Sequence, residues 1–219
     1  MDTSCILHHL SQWTANNSSI WLQAHMKEHQ QASKCFEQLV CNLNLAIRQF
    51  DPNILILRPK DMIYELAADA SRRPSFRAYI APEGMRPIPT GYFLCIRSGN
   101  RSFLGGGLHS SMFGAAADLV RRSISRDPLE WIQIIENPAF RSRFAVLGDP
   151  VSKFPNGFDP SDSLSKYFQQ NNWYVRYPIQ DATLLVQDAL ESIAIETFEA
   201  MAPFIQYLNR ATQTFHLRA

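Results

Sequence analysis

The period of the hydrophobic positions changes along the chain from helical to alternating and back. Leu7, Leu10 and Trp13 make a short stripe at helical spacing that breaks at Asn16-Asn17, and Ser18 or Ser19 is a suitable N-cap for the next helix. Trp21, Leu22, Ala24 and His25 open a face that Phe36, Leu39, Val40, Leu43, Ala46, Ile47 and Phe50 continue at i, i+3, i+4, i+7 spacing. Asp51-Pro52 ends this helix, because a residue before proline is pushed out of the helical region. Short strands are predicted next, over 54–57, 62–66, 76–80, 92–96 and 101–104, with Ser98-Gly99-Asn100 as a hairpin turn and 82–89 as a loop. After Gly105-Gly106-Gly107 the helical period returns over 115–125. Asp127-Pro128 and Asn137-Pro138 start two further helices. Residues 150–160 read as loop and 173–177 as a strand. Asp181 is expected to cap a final helix with Leu184, Leu185, Leu190, Ile193, Ala194 and Phe198 inward, interrupted at Pro203 and resumed to about Arg210.

Strands in the middle, helices at both ends and no alternating βαβ rhythm predict an α+β fold. The sheet should be mainly antiparallel, lie in the middle third, and be packed by helices from both termini. Residues 1–219 are expected to form a single domain. Trp21, Phe36, Leu43, Ile47, Phe93, Trp131, Leu185 and Phe198 are the expected core.

Composition changes this picture only by exclusion. The 219 residues carry 46% hydrophobic and 19% charged side chains and a formal net charge of +1. No global basic field draws the chain to nucleic acid, so nucleic acid is not an expected partner. Arg72, Arg73, Arg77, Arg86, Arg97 and Arg101, interleaved with Phe76, Tyr79, Tyr92 and Phe93, could line an RNA-binding sheet. Strands that alternate apolar and charged positions produce the same mixture, and near-neutral charge favours that reading. The opening residues lack a secretion signal and the longest apolar runs are too short for a bilayer, so a cytoplasmic location and no membrane partner are expected. Cys5, Cys35, Cys41 and Cys95 form no C-x-x-C pair and are expected to be reduced, buried thiols.

The candidate binding residues are Gly105, Gly106, Gly107, His109, Ser111 and Arg72. Glycines between a strand and a helix could let backbone N–H groups approach a phosphate or carboxylate, with His109 and Ser111 adding donors and Arg72 a cation. The alternative is that the glycines relieve crowding at a bend. His25 and His29 share a helix face and could hold a metal, but no third ligand accompanies them, and a solvated face is expected. His8 and His9 are adjacent and cannot converge. No nucleophile elbow or Cys–His signature is present, and neither a metal nor another cofactor is expected. The loop FPNGFDPSD, pinned by Phe154 and Phe158, is a candidate pocket rim.

The stretches NNSSIWLQAH, SFLGGGLH, NPAFRSRF, FPNGFDPSDSL and MAPFIQYLNRA, taken in order, resemble the bacterial family called domain of unknown function 2461. The resemblance implies no assigned cofactor and no agreed active site. It also implies a basic stretch, R-x-x-R-D-x-R-F-S followed by P-Y-K, from which this sequence departs. Asp61, Tyr64 and Ala67 stand at the three arginines, Glu65 at the aspartate, Ala68 at the phenylalanine, Asp69 at the serine and Phe76 at the final lysine. Arg72 and Pro74 keep their character. The resulting expectation is a ligand- or partner-binding domain without chemistry of its own, its partner a small anion or a protein. The alternative is an enzyme acting on a phosphorylated or nucleic-acid substrate through an anion site at the glycine triplet.

Overall fold

A computed structural model describes residues 2–16, 18–64, 74–82, 90–108 and 114–214. Helix α1 (Ser4–Asn16) turns Ile6, Leu7, His9 and Leu10 inward. Ser18 caps α2 (Ser19–Ala24), its hydroxyl accepting from the Trp21 N–H at 3.1 Å. The helix expected to run unbroken to Phe50 is divided at His25, which leaves the helical region at φ −113° and ψ 33°. Beyond it α3 (Met26–Phe50) buries Ala32, Phe36, Leu39, Val40, Leu43 and Ile47, while α2 buries no residue fully. The bend lets α3 follow its own apolar face.

The expected strand at 54–57 does not form. Asn44 of α3 takes up the polar backbone of this segment instead. Its amide donates to the Leu55 carbonyl and its Oδ1 accepts from the Leu57 N–H, both at 3.0 Å. A single 3-10 turn, Pro59–Asp61, follows. Of the expected strand at 62–66 the structure shows one bridge, Ile63 to Ala78, and residues 65 and 66 lie outside the described ones.

The sheet consists of β1 (Phe76–Ile80), β2 (Gly91–Ile96), β3 (Ser102–Leu108) and β4 (Trp173–Ile179), in that order. It is antiparallel, and with its flanking helices it makes the fold α+β. Between β1 and β2 the register sets Phe76 opposite Ile96 and Ile80 opposite Tyr92. Gly99 and Asn100 close the expected hairpin at φ +80° and +55°, a region glycine and asparagine tolerate.

That turn is clasped from outside. The Asp181 carboxylate accepts from the Gly99 and Asn100 N–H groups at 2.7 and 2.9 Å, and the Asn100 side chain accepts from the Asp181 N–H at 2.8 Å. Its carboxylate spent on the turn, Asp181 does not cap the last helix as expected; it opens the short α8 (Asp181–Leu184). Replacing Asp181 by alanine should lower stability by about 1–2 kcal/mol, since exposed charge-assisted bonds contribute modestly. An unchanged urea midpoint would show that the turn is held by other contacts.

The final helix, α9 (Ala189–Ala211), continues through Pro203 where an interruption was expected. Pro203 faces solvent, while Met201, Phe204, Ile205 and Leu208 around it are buried. Interior proline costs about 3 kcal/mol, and each buried large side chain returns about 1.5–3, so packing wins. Between the sheet strands run α4 (Gly114–Arg126), α5 (Pro128–Ile135), α6 (Pro138–Arg141) and α7 (Ser165–Phe168). Asp127 and Asn137 cap α5 and α6, accepting from the Glu130 and Ala139 N–H groups at 3.1 and 2.9 Å.

The chain gathers into two compact units, residues 1–88, 92–105 and 177–199 in one and 89–91, 106–176 and 200–219 in the other. In the first, Phe36, Leu43, Ile47, Tyr92 and Phe198 are fully buried. In the second, the Trp131 ring meets Tyr167, Phe204 and Tyr207 at centroid distances of 5.2, 5.9 and 5.2 Å. Trp21 and Phe93 are half-buried rather than buried. Leu185 is 62% exposed, because α9 starts after it and gives it no inner face. None of the four cysteines is in a disulfide; Cys95 is buried and the other three half-buried. Among the described residues no helix is long and apolar enough to cross a membrane.

Candidate functional site

Gly105, Gly106 and Gly107 lie within β3 and are buried. A Cβ on Gly106 would stand 2.5 Å from Met201 Sδ, 2.7 Å from the Gly91 carbonyl oxygen and 2.9 Å from Ile205 Cδ1. One on Gly107, whose φ is +129°, would stand 2.2 Å from the Trp173 carbonyl oxygen. The space left by the missing side chains of these two glycines is therefore taken by protein atoms. His109, Ser111 and Arg72, the other members of the expected anion site, lie outside the described residues.

A different group converges in the first unit. Helix α1 places His9 three residues after Ile6 and four before Trp13, on its inward stripe. Trp21 comes from α2, His25 from the bend, His29 from the first turns of α3 and Phe76 from the start of β1. His9 is 2% exposed. Its Nε2 lies 3.0 Å from His29 Nδ1, and its Nδ1 has no hydrogen-bond partner among the described residues. The His9 ring sits 5.7 Å from Trp13, 5.9 Å from Trp21 and 6.4 Å from Phe76, centroid to centroid. Phe76 stacks on His29 at 5.7 Å and 16°, and Trp13 meets His29 edge-on. Trp13, Trp21, His25 and His29 are half-buried, so the cluster reaches the surface.

Hydrogen bonding sets the chemistry of this surface. His25 Nδ1 lies 2.8 Å from the Trp21 carbonyl oxygen, which only accepts. Nδ1 is therefore the donor, and the neutral imidazole carries its lone pair on Nε2. His25 also stacks on Trp21 at 4.0 Å and 14°. Burial, then the neighbouring His29, pushes His9 down to about 4, against a smaller opposing pull from Glu28. Burial lowers His29 as well. The pair is uncharged at neutral pH. Among the described residues no group of three or more His, Cys, Asp or Glu side chains is arranged to hold a metal ion.

The expected solvated face for His25 and His29 is thus corrected: both rings are packed. His9, set aside because it cannot converge with His8, finds its partner on another helix. Its position between Ile6 and Trp13 on the inward stripe was the signal. Arg121 was not singled out either. It is 4% exposed and fully engaged, donating to the Phe168 and Gln170 carbonyls at 2.8 and 2.6 Å and to Asp118 at 2.6 Å. A guanidinium spent in this way ties α4 to the segment after α7 and is closed to an anion.

A family model described as conserved hypothetical protein (DUF2461) matches residues 5–207, and the chain belongs to that family. No curated protein and no solved structure matches the chain. One stretch that carried the resemblance and one that departs from it meet in the cluster. NNSSIWLQAH supplies Trp21 and His25, and the segment ending Pro74-Ser75-Phe76 supplies Phe76, at the place where the resemblance implies a lysine.

Proposed function

We propose that the chain is a ligand-binding domain without chemistry of its own, and that its ligand is taken at the half-exposed face of the histidine–tryptophan cluster. The observation that carries this reading is the fixed tautomer of His25 beside a stacked Trp21. It offers a hydrogen-bond acceptor and a flat aromatic wall at one place. Such a surface suits a planar ligand that brings donors and no negative charge. Glu28, exposed on the same turn of α3 and felt electrostatically by His9, favours a cationic ligand further. The glycine-triplet reading, an enzyme taking a phosphorylated substrate, requires His109, Ser111 and Arg72 to gather around β3.

The two readings separate on three probes. Tryptamine, a flat ring with an ammonium group, should raise the melting temperature, because a ligand that binds only the folded state stabilises it. Indoleacetate, the same ring with a carboxylate, and inorganic phosphate should leave it flat. Trp21→Ala should remove the response to tryptamine. A rise with phosphate and none with tryptamine would overturn the proposal.

A further inference from the structure

We propose that the His9–His29 pair is a proton-operated latch that holds α1 and α2 against α3 and β1. A buried polar group is tolerated when its bonds are satisfied, and an unpartnered N–H costs more than an unpartnered lone pair, so this pair is best served with both rings neutral. With both rings neutral, the pair is best served when His9 Nε2 donates across the 3.0 Å gap to His29 Nδ1, because this leaves only a lone pair on the unpartnered His9 Nδ1. One proton added to His9 turns that lone pair into a buried Nδ1–H with nothing among the described residues to receive it. A second, on His29, sets two donors against each other at that same separation. The geometry therefore resists each protonation, and the fold must open locally to admit it.

The groups around His9 do not relieve this. On α1, His8 is exposed and engaged with Gln12 at 2.9 Å. On the opposite side stand His29, His25 with its Nδ1 committed to the Trp21 carbonyl, and Glu28, which is exposed. β1 presents Phe76, and Trp13 and Trp21 complete the wall, none of them charged. Among the described groups that bear on His9, Glu28 is the single carboxylate, and solvent screens it. α1 has further ties: Thr3 Oγ1 donating to the Leu184 carbonyl at 2.8 Å, the Thr14 and Ser98 hydroxyls at 3.1 Å, Ser98 Oγ donating to the Leu10 carbonyl at 3.5 Å, and the Cys5 thiol against Cys35 of α3. The hydroxyls do not titrate, and burial, then the bond to Cys35, pushes the Cys5 thiol up to about 12, so the histidine pair is the part of the docking that responds between pH 5 and pH 7.5.

The direction follows from the depressed His9. Its contribution is complete above the ordinary histidine value of about 6.5. It fades as pH falls from there toward about 4, where the folded state takes up the proton. Hydrogen exchange of α1 and α2 amides, corrected for the intrinsic pH dependence, reads this out. Between pH 7.5 and pH 5 their protection should fall about tenfold or more relative to α9, the change that one pKa unit of linkage produces. In His9→Phe, which keeps an aromatic ring and removes the titration of His9, the fall should be smaller than in the unaltered protein, what remains being that of His29. Equal losses in both proteins, or no loss in the unaltered one, overturn the proposal. Should His9→Phe not fold, ring NMR of the unaltered protein decides. A His9 titration well below 6.5 that coincides with loss of α1 protection supports the latch. A titration at or above that value, as tryptophan faces stabilising an imidazolium would give, overturns it.

Discussion

Gly107→Ala should be the most damaging single substitution of those considered, lowering stability by about 4 kcal/mol or more. Two effects combine. At φ +129° an L side chain is strained whatever space surrounds it. The added Cβ would also stand 2.2 Å from the Trp173 carbonyl oxygen and 2.6 Å from Tyr174 Cα. Both are backbone atoms, so no rotamer change relieves the clash, and β4 would have to move off β3. Gly157 provides the control. Its φ is +85°, and a Cβ there would meet nothing within 4 Å. Gly157→Ala should therefore cost only the left-handed penalty, about 1–2 kcal/mol. Urea midpoints measured side by side would separate strain from contact. Equal losses would show that close approach to β4 is not what Gly107 provides.

Phe198→Ala should cost about 3–5 kcal/mol, the range for a buried phenylalanine truncated in a packed core. The ring has no exposed surface and meets Tyr92 edge-on at 5.3 Å and 67°. Tyr92 is itself fully buried and donates to Asp51 at 2.9 Å. Burial, with the Asp51 carboxylate beside it, holds the Tyr92 hydroxyl far above its ordinary range, so it stays a donor at every accessible pH. A cavity at Phe198 would remove the wall that keeps this hydrogen bond dry. Leu185→Ala is the contrast: exposed past the end of α8, it should change stability by less than about 0.5 kcal/mol. A small loss at Phe198 would show that the first half of α9 is not docked through this ring.

The sequence was most legible where one local rule decides the outcome. Proline and the residue before it ended α3 and, with Asp127 and Asn137 as caps, started α5 and α6. The glycine and asparagine of the 98–100 turn needed positive φ, and they found it. Legibility failed where a distant partner decides. Residues 54–57 have strand composition, but Asn44 satisfies their backbone from α3, and nothing local announces that bond. Asp181 looks like a helix cap, yet its carboxylate is used by a turn far along the chain. Pro203 breaks a helix by local rules, and tertiary burial of its neighbours overrides them.

The candidate site follows the same division. The glycine triplet was conspicuous because glycines together are rare, and Gly106 and Gly107 turn out to face protein atoms. His9 was inconspicuous because its significance depends on His29 twenty residues later and on a bend at His25 that periodicity does not forecast. Trp21 and His25 belonged to a resembling stretch, but only the fold brings them beside Phe76 and the histidine pair.

Ring NMR of the six histidines during a tryptamine titration tests the proposed site most directly. The His25 and His29 signals should move together and saturate, with His25 keeping its proton on Nδ1, while exposed His8 stays where it is. The contradicting result is that all three stay still and added phosphate instead shifts the backbone amides of Gly105, Gly106 and Gly107.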